Sequence, residues 1–181
     1  MTLSVPDISH LFGHAGADLY GGEAITQREH ALQTAWLAEQ AGADDALVVA
    51  CLLHDLGHML FEQGDDDLAQ GADDLHQFKI LPFLRGLLPP EVVDPIGMHV
   101  DAKRYLCCVD RHYFDTLSQA SRTSLVLQGG IMDAAAAERF AARPHAARAV
   151  TLRRCDDAAK VVGMRTPEYE YFLPRLIALA Q

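Results

Sequence analysis

ALVVACLLHDLGHML, residues 46–60, is apolar almost without interruption until it reaches His54 and Asp55. A helix with no polar face belongs in the interior of a protein rather than on its surface. Burying an ionised carboxylate without a partner is prohibitive, so such a residue is normally paired or bound to a metal. Neighbours on a helix diverge by about 100°, so His54 and Asp55 can reach one centre only where that centre is wedged against the helix. A metal ion held between packed helices satisfies this geometry. The stretch therefore points to an all-α fold built around a metal.

The flanking sequence is helical in the same sense. Residues 23–40 (EAITQREHALQTAWLAEQ) have helical apolar spacing and end at Gly42; Asp44-Asp45 then opens the His54-Asp55 helix, which is expected to stop near Gly57. A polar loop, GDDDLAQGADD at 64–74, precedes a helix holding His76, with Pro82 marking a bend or restart. Pro89-Pro90 opens the stretch carrying His99 and Lys103. Residues 117–127 and 133–142 read as helices around Gly129-Gly130, residues 145–162 carry Asp156, and Pro167 can start a terminal helix. Strand-like alternation, internal repeats and a long linker are all missing, so residues 1–181 are expected to form one domain.

Composition bounds the function. Half of the residues are hydrophobic, yet no apolar run approaches the roughly 20 residues of a membrane span. The N-terminus lacks the basic flank and apolar core of a secretory signal. Cys51, Cys107, Cys108 and Cys155 have no paired spacing, which suits reduced thiols and a cytoplasmic location. A formal charge of −10 argues against nucleic acid as a partner, although local metal charge can still favour a small anion. Oligomeric state is left open.

The residues able to hold a metal lie on separate predicted helices: His30, His54, Asp55, His76, His99 and Asp156. Nitrogen and oxygen donors without a cysteine quartet favour iron, manganese or cobalt over a structural zinc. An isolated histidine is most often a surface or hydrogen-bonded residue; the ordered set of six is not readily accidental.

That order and the HDLGH signature resemble the HD-domain superfamily, all-α metalloproteins that are mostly phosphohydrolases. The chain is more closely similar to one branch, the phosphonate-degrading mixed-valence di-iron oxygenases. The segments carrying the resemblance are YGGEAITQREHALQ, GADDALVVACLLHDLGH, HVDAKRYL, LSQASRTSLVLQGGIMD and LRRCDDAAK, which lie between Tyr20 and Lys160. The resemblance implies a single HD-domain bundle with a dinuclear centre of two iron ions. His30, His54, Asp55 and Asp156 would serve one iron, and Asp55 would bridge to a second carrying His76 and His99. It implies oxidative cleavage of the carbon–phosphorus bond of an α-hydroxyphosphonate by O2. The expected substrate is a small 1-hydroxy-2-aminoethylphosphonate or its trimethylammonio analogue, releasing phosphate and glycine or glycine betaine. The second site has fewer protein ligands and so more open positions, which suits chelation by the substrate's hydroxyl and one phosphonate oxygen.

Several residues then read as a substrate shell. Lys103, four residues after His99, shares its helical face and can meet an anion at the metal; its alternative is a snorkelling surface lysine. Arg153 shares a face with Asp156 and can either clamp phosphonate oxygens or form a salt bridge to that carboxylate. His58 can bind the phosphonate or orient a metal ligand. Ser121 and Gln128 resemble the branch's polar residues on the phosphonate side. In the Tyr20-Gly21-Gly22-Glu23 turn, the resemblance makes Tyr20 and Glu23 a mobile lid, Glu23 facing the substrate's amino end; alternatively Glu23 sits in the first turn of a helix, where a carboxylate is favoured. His10, His14, His112, His145 and Asp101 are left outside the site, the run Asp65-Asp66-Asp67 reads as a solvated loop, and Trp36 reads as core. Gln77 follows His76 where HD chains often have glutamate, so the second metal could be held differently. The main rival function is a metal-dependent phosphohydrolase acting on a phosphomonoester or nucleotide; a third is a regulatory domain that senses a phosphonate without turnover.

Overall fold

A computed structural model describes residues 2–21, 23–61 and 75–181. The helices are α1 (Val5–His14), α2 (Gln27–Gln40), α3 (Asp45–Leu53), α4 (Leu56–Leu60), α5 (His76–Lys79), α6 (Leu81–Leu84), α7 (Pro90–Val109), α8 (Tyr113–Thr116), α9 (Gln119–Leu127), α10 (Ala134–Ala141), α11 (Ala146–Ala158) and α12 (Tyr169–Leu179), with a 3₁₀ turn at Ala15–Ala17. The fold is all-α: among the described residues there is no strand, only an isolated bridge between Leu19 and Thr26. None of the described helices is long and apolar enough to cross a membrane. The polar run 64–74, including Asp65, Asp66 and Asp67, and Gly22 of the Tyr20–Glu23 turn lie outside the described residues.

Local sequence sets the helix ends. Thr26 and Glu29 form a reciprocal capping box on α2, Glu29 N–H donating to Thr26 Oγ1 at 3.1 Å and Thr26 N–H to Glu29 Oε2 at 2.7 Å. The helix therefore begins at Gln27, later than the apolar spacing suggested, and Glu23 lies in the turn before it rather than in its first turn. At the other end Gly42 has φ +79°, and the Ala43→Ala38 and Gly42→Glu39 backbone bonds close a Schellman motif. Asp44 caps α3 by accepting from Leu47 N–H at 2.9 Å.

α3 is buried on all sides, Leu47 through Leu53 being 6 % exposed or less. It packs against α2 and α7, and α11 packs against α2, α3 and α7. These four helices bring His30, His54, His99 and Asp156 to one level of the bundle. Sequence spacing suggested an unbroken helix to about Gly57, but α3 ends at Leu53 and Asp55 has φ −104°, ψ 15°. The break removes the divergence that a continuous helix would impose on His54 and Asp55. The helix resumes as α4, on which Gly57 approaches α5 so closely that a Cβ there would sit 2.6 Å from the His76 carbonyl oxygen.

Pro95 sits inside α7 and cannot donate to the Glu91 carbonyl. Arg148 of α11 supplies that bond from Nε at 3.3 Å, and its other nitrogens reach Asp44 at 2.8 and 2.6 Å. One guanidinium thus ties the start of α3 to α7 and α11, and holds the Asp44 carboxyl down to about 2 from an ordinary 3.8. Trp36 is partly buried against the main core and meets Tyr171 edge-on.

Gly57→Ala should destabilise the fold by about 2 kcal/mol, because the obstructing atom is backbone; an unchanged urea midpoint would show that α4 and α5 can part freely. Asp44 has a depressed folded-state pKa, so its contribution is present above the unfolded value and lost as pH falls through about 2. The stability difference between wild type and Asp44→Asn, which keeps a capping side chain, should therefore shrink as pH falls from neutrality through the acid range, read from urea midpoints at each pH.

Candidate metal centre

The imidazoles at the centre are oriented from behind. Nδ1 lies 2.8 Å from a main-chain carbonyl oxygen in each of three cases: His30 with Ala159, His54 with Cys51, and His99 with Ile96. A carbonyl only accepts, so each Nδ1 carries a proton and Nε2 is the ring nitrogen turned towards the centre. These Nε2 atoms converge. His30 and His54 place Nε2 atoms 3.2 Å apart, and His76 and His99 place theirs 3.1 Å apart.

Asp55 lies between the two pairs. Its Oδ2 is 3.2 Å from His54 Nε2 and 3.6 Å from His30 Nε2; its Oδ1 is 3.1 Å from His76 Nε2 and 3.6 Å from His99 Nε2. Asp156 adds Oδ1 at 3.4 Å from His30 and Oδ2 at 4.0 Å from His54. All six residues are buried. Two groups, His30/His54/Asp55 and Asp55/His76/His99, each bring three donor atoms within 4.8 Å of one another.

Electrostatics show what this cluster needs. Burial favours a neutral Asp55, but contact with His54 and then His76 holds its carboxyl well below the usual range. Burial likewise opposes the charge on Asp156, and Arg153 with His30 outweighs it. Burial pushes His99 down to about 3 in spite of Asp55, so that ring is neutral at physiological pH. Asp55 Oδ1 and Asp156 Oδ1 are buried with no hydrogen-bond partner. Buried carboxylate oxygens facing imidazole nitrogens at this spacing call for positive charge between them, which protons or a bound metal can supply. The donor set thus fits a metal cofactor.

Around this core lie the remaining candidate residues. His58 stacks on His76 with ring centroids 4.1 Å apart. Gln77 is buried and its Oε1 has no partner. Tyr20 stacks face to face on His30 at 3.8 Å; desolvation of its hydroxyl, then the Asp55 and Asp156 carboxylates, raise its pKa well above 10.

Lys103 is buried on α7, donating to Ser124 Oγ at 2.7 Å and to the Ser121 carbonyl at 3.4 Å. Burial, then Arg153, lowers its pKa to about 7. Arg153 is salt-bridged to Asp156 (Nη1 to Oδ2, 2.8 Å), bonds Asp157 and Tyr113, and has Nη2 3.5 Å from Ser121 Oγ. This is the ion-pair arrangement that its spacing from Asp156 allowed. Gln128 follows α9 with a buried, unpartnered Oε1.

Asp101 turns outward to Arg104 and Arg143, and Arg104 binds the Gly129 and Gly130 carbonyls. His10 and His14 stack on each other along α1, away from the cluster. Sequence reasoning assigned no role to Lys160, Asp157 or Tyr113. Lys160 donates to Ser121 Oγ at 2.8 Å, while Asp157 accepts from Tyr113 and Arg153. The Arg153–Asp157 spacing of four residues was the one available signal.

The HD domain family model matches residues 28–156. The chain is 38% identical to the [1-hydroxy-2-(trimethylamino)ethyl]phosphonate dioxygenase (glycine-betaine-forming) of Leisingera caerulea, across 95% of this chain and 94% of that protein. It is 40% identical to the hydroxymethylphosphonate dioxygenase of Gimesia maris, across 93% of this chain and 84% of the relative. An uncharacterized protein of Acanthamoeba polyphaga mimivirus is 30% identical across 93% of this chain. With its helical fold, its buried histidine–aspartate cluster and these matches, the chain belongs to the HD domain family.

Proposed function

We propose that this chain, acting as one HD domain, is a di-iron oxygenase that uses O2 to cleave the carbon–phosphorus bond of a small hydroxylated phosphonate. The substrate is 1-hydroxy-2-aminoethylphosphonate or its trimethylammonio analogue, and the products are phosphate and glycine or glycine betaine. The observation that carries this reading is Asp55, whose two oxygens face two separate pairs of imidazoles. The names of the Leisingera and Gimesia relatives direct it to phosphonates.

His30, His54, Asp55 and Asp156 would hold one iron, and Asp55, His76 and His99 the other. Together the irons would supply dioxygen activation and Lewis acidity. The chain's own residues divide the remaining work. Main-chain carbonyls behind His30, His54 and His99 fix each ring so that Nε2 is aimed at the centre. Arg153 fixes Asp156 from the opposite side. The His76/His99 side has fewer protein donors and so leaves room for the substrate's hydroxyl and one phosphonate oxygen. Lys103, one turn beyond His99, and Ser121 form the wall that meets the anion, with Arg153, Gln128 and His58 around it. Tyr20 holds its proton against Asp55, and Glu23 faces the substrate's amino end. The working compartment is the cytoplasm, and the partners are the phosphonate and O2.

The deciding experiment supplies anaerobic iron-loaded protein with 1-hydroxy-2-aminoethylphosphonate, its trimethylammonio analogue or hydroxymethylphosphonate, then admits O2 and assays phosphate. Phosphate is expected only after O2 enters; phosphate from a simple phosphoester without O2 would make the chain a hydrolase. Asp55→Ala should lose both metals by elemental analysis, and near-normal iron content would sink the bridging role. Lys103 is charged below about pH 7 and neutral above it. Phosphonate affinity should therefore weaken as pH rises through about 7, with this dependence reduced in Lys103→Met; identical pH profiles for the two proteins would remove Lys103 from the anion site.

A further inference from the structure

The three imidazoles backed by main-chain carbonyls are not held alike. His54 and His99 bond carbonyls three residues earlier in the chain, Cys51 and Ile96, so local backbone orients them. The acceptor for His30 is Ala159, 129 residues away. Ala159 follows the last residue of α11 at φ −90° and ψ 44°, where the chain leaves the helix and its carbonyl is open to a donor from elsewhere. The orientation of His30 therefore depends on what holds the segment after α11. Apolar packing holds it only in part: Ala159 is buried, but Val161 and Val162 are 48% and 69% exposed. Gln33 supplies a second hold. It is buried on α2, one turn beyond His30. Its amide pairs with both polar groups of Val161, Nε2 donating to the carbonyl at 2.9 Å and Oε1 accepting from the N–H at 3.0 Å.

We propose that Gln33 is a positioning residue for the metal centre: by clamping the Val161 peptide it keeps the Ala159 carbonyl against His30 Nδ1, and so keeps His30 Nε2 aimed at the metal. Resting on the reading of His30 as a metal ligand, this adds a residue that acts on the ligand from behind. His30 and Gln33 leave α2 one turn apart, and both end on the stretch 159–161. With the Val161 peptide bonded at its N–H and its carbonyl, that stretch cannot slide along α2 or turn away without breaking two hydrogen bonds. Asp156 lies three residues before Ala159, so the same clamp fixes the end of α11 against α2 and holds His30 Nε2 and Asp156 Oδ1, 3.4 Å apart, in register. The pairing uses both halves of an amide. A carboxylate at this position would accept from the Val161 N–H but set a second oxygen against its carbonyl, and a thioether would make neither bond.

Each imidazole can be read separately by NMR of zinc-loaded protein with isotope-labelled histidines. A hydrogen-bonded Nδ1–H gives its own proton signal, and that of His30 is assigned by its absence from His30→Gln. Its exchange with solvent is compared with exchange at His54 and His99, whose acceptors lie outside the 159–161 stretch. Gln33→Met should speed exchange at His30 about tenfold or more while leaving His54 and His99 unchanged, and should speed zinc transfer to a chelator by a similar factor. Unchanged exchange at His30 overturns the proposal, as does the lack of a protected His30 signal in wild type. Equal acceleration at all three rings also overturns it, because that marks a general loosening of the fold. Should Gln33→Met fail to fold, Gln33→Glu decides alone at a pH where the carboxyl is ionised: faster exchange confined to His30 supports the clamp, and any other pattern overturns it. Wild type that binds no zinc sinks the metal-ligand reading itself, a result distinct from zinc-loaded protein in which Gln33→Met leaves His30 untouched.

Discussion

Three hydrogen bonds from Nδ1 atoms to main-chain carbonyls govern the centre of this protein. They commit His30, His54 and His99 to turning Nε2 inward. Asp55 and Asp156 present carboxylate oxygens to the same space, and two of their oxygens have no proton donor. The helices that deliver these groups are held together by α3 and its apolar surroundings, so the core sustains a concentration of polar groups that is unfavourable in isolation. A metal cofactor suits this geometry, and Asp55 lies between two imidazole pairs.

The surrounding charges follow from that centre. Arg153 compensates Asp156 and is itself fixed by Asp157 and Tyr113, so one cation is committed to the metal side. Lys103 and Lys160 donate to Ser124 and Ser121 of α9, with Glu23 3.9 Å from Lys160. The chain is acidic as a whole, yet three basic side chains gather around these serines. Global charge and site charge answer different questions, the first about solubility and non-specific partners, the second about ligand sign.

The helical class was legible because α3 has no polar face, and the six clustered residues because metal-capable side chains recur in a set order on separate predicted helices, none of them telling alone. Bringing His54 and Asp55 to one centre required a break between α3 and α4 that the continuous apolar pattern conceals. The start of α2 was also misplaced: the Thr26–Glu29 box is written in the sequence, but apolar spacing extends past it. Arg153 illustrates a deeper limit. Its spacing from Asp156 fits a ligand clamp and an internal ion pair equally well, and only the positions of Asp157 and Tyr113 distinguish the two in this state. Lys160 lies beyond the end of α11, and its approach to Ser121 depends on tertiary packing between residues far apart in the chain.

The link from Arg148 to both Asp44 and the carbonyl left free by Pro95 has a consequence for how such a molecule can diversify. It fastens α3, α7 and α11 at a point remote from α9. Those helices carry His54, His99 and Asp156, whereas Ser121 and Ser124 belong to α9, a separate element. Side chains can therefore be exchanged on α9 while the imidazoles keep their positions. The architecture keeps the buried histidine–aspartate cluster and the serines of α9 on separate elements, so one can change while the other stays constant.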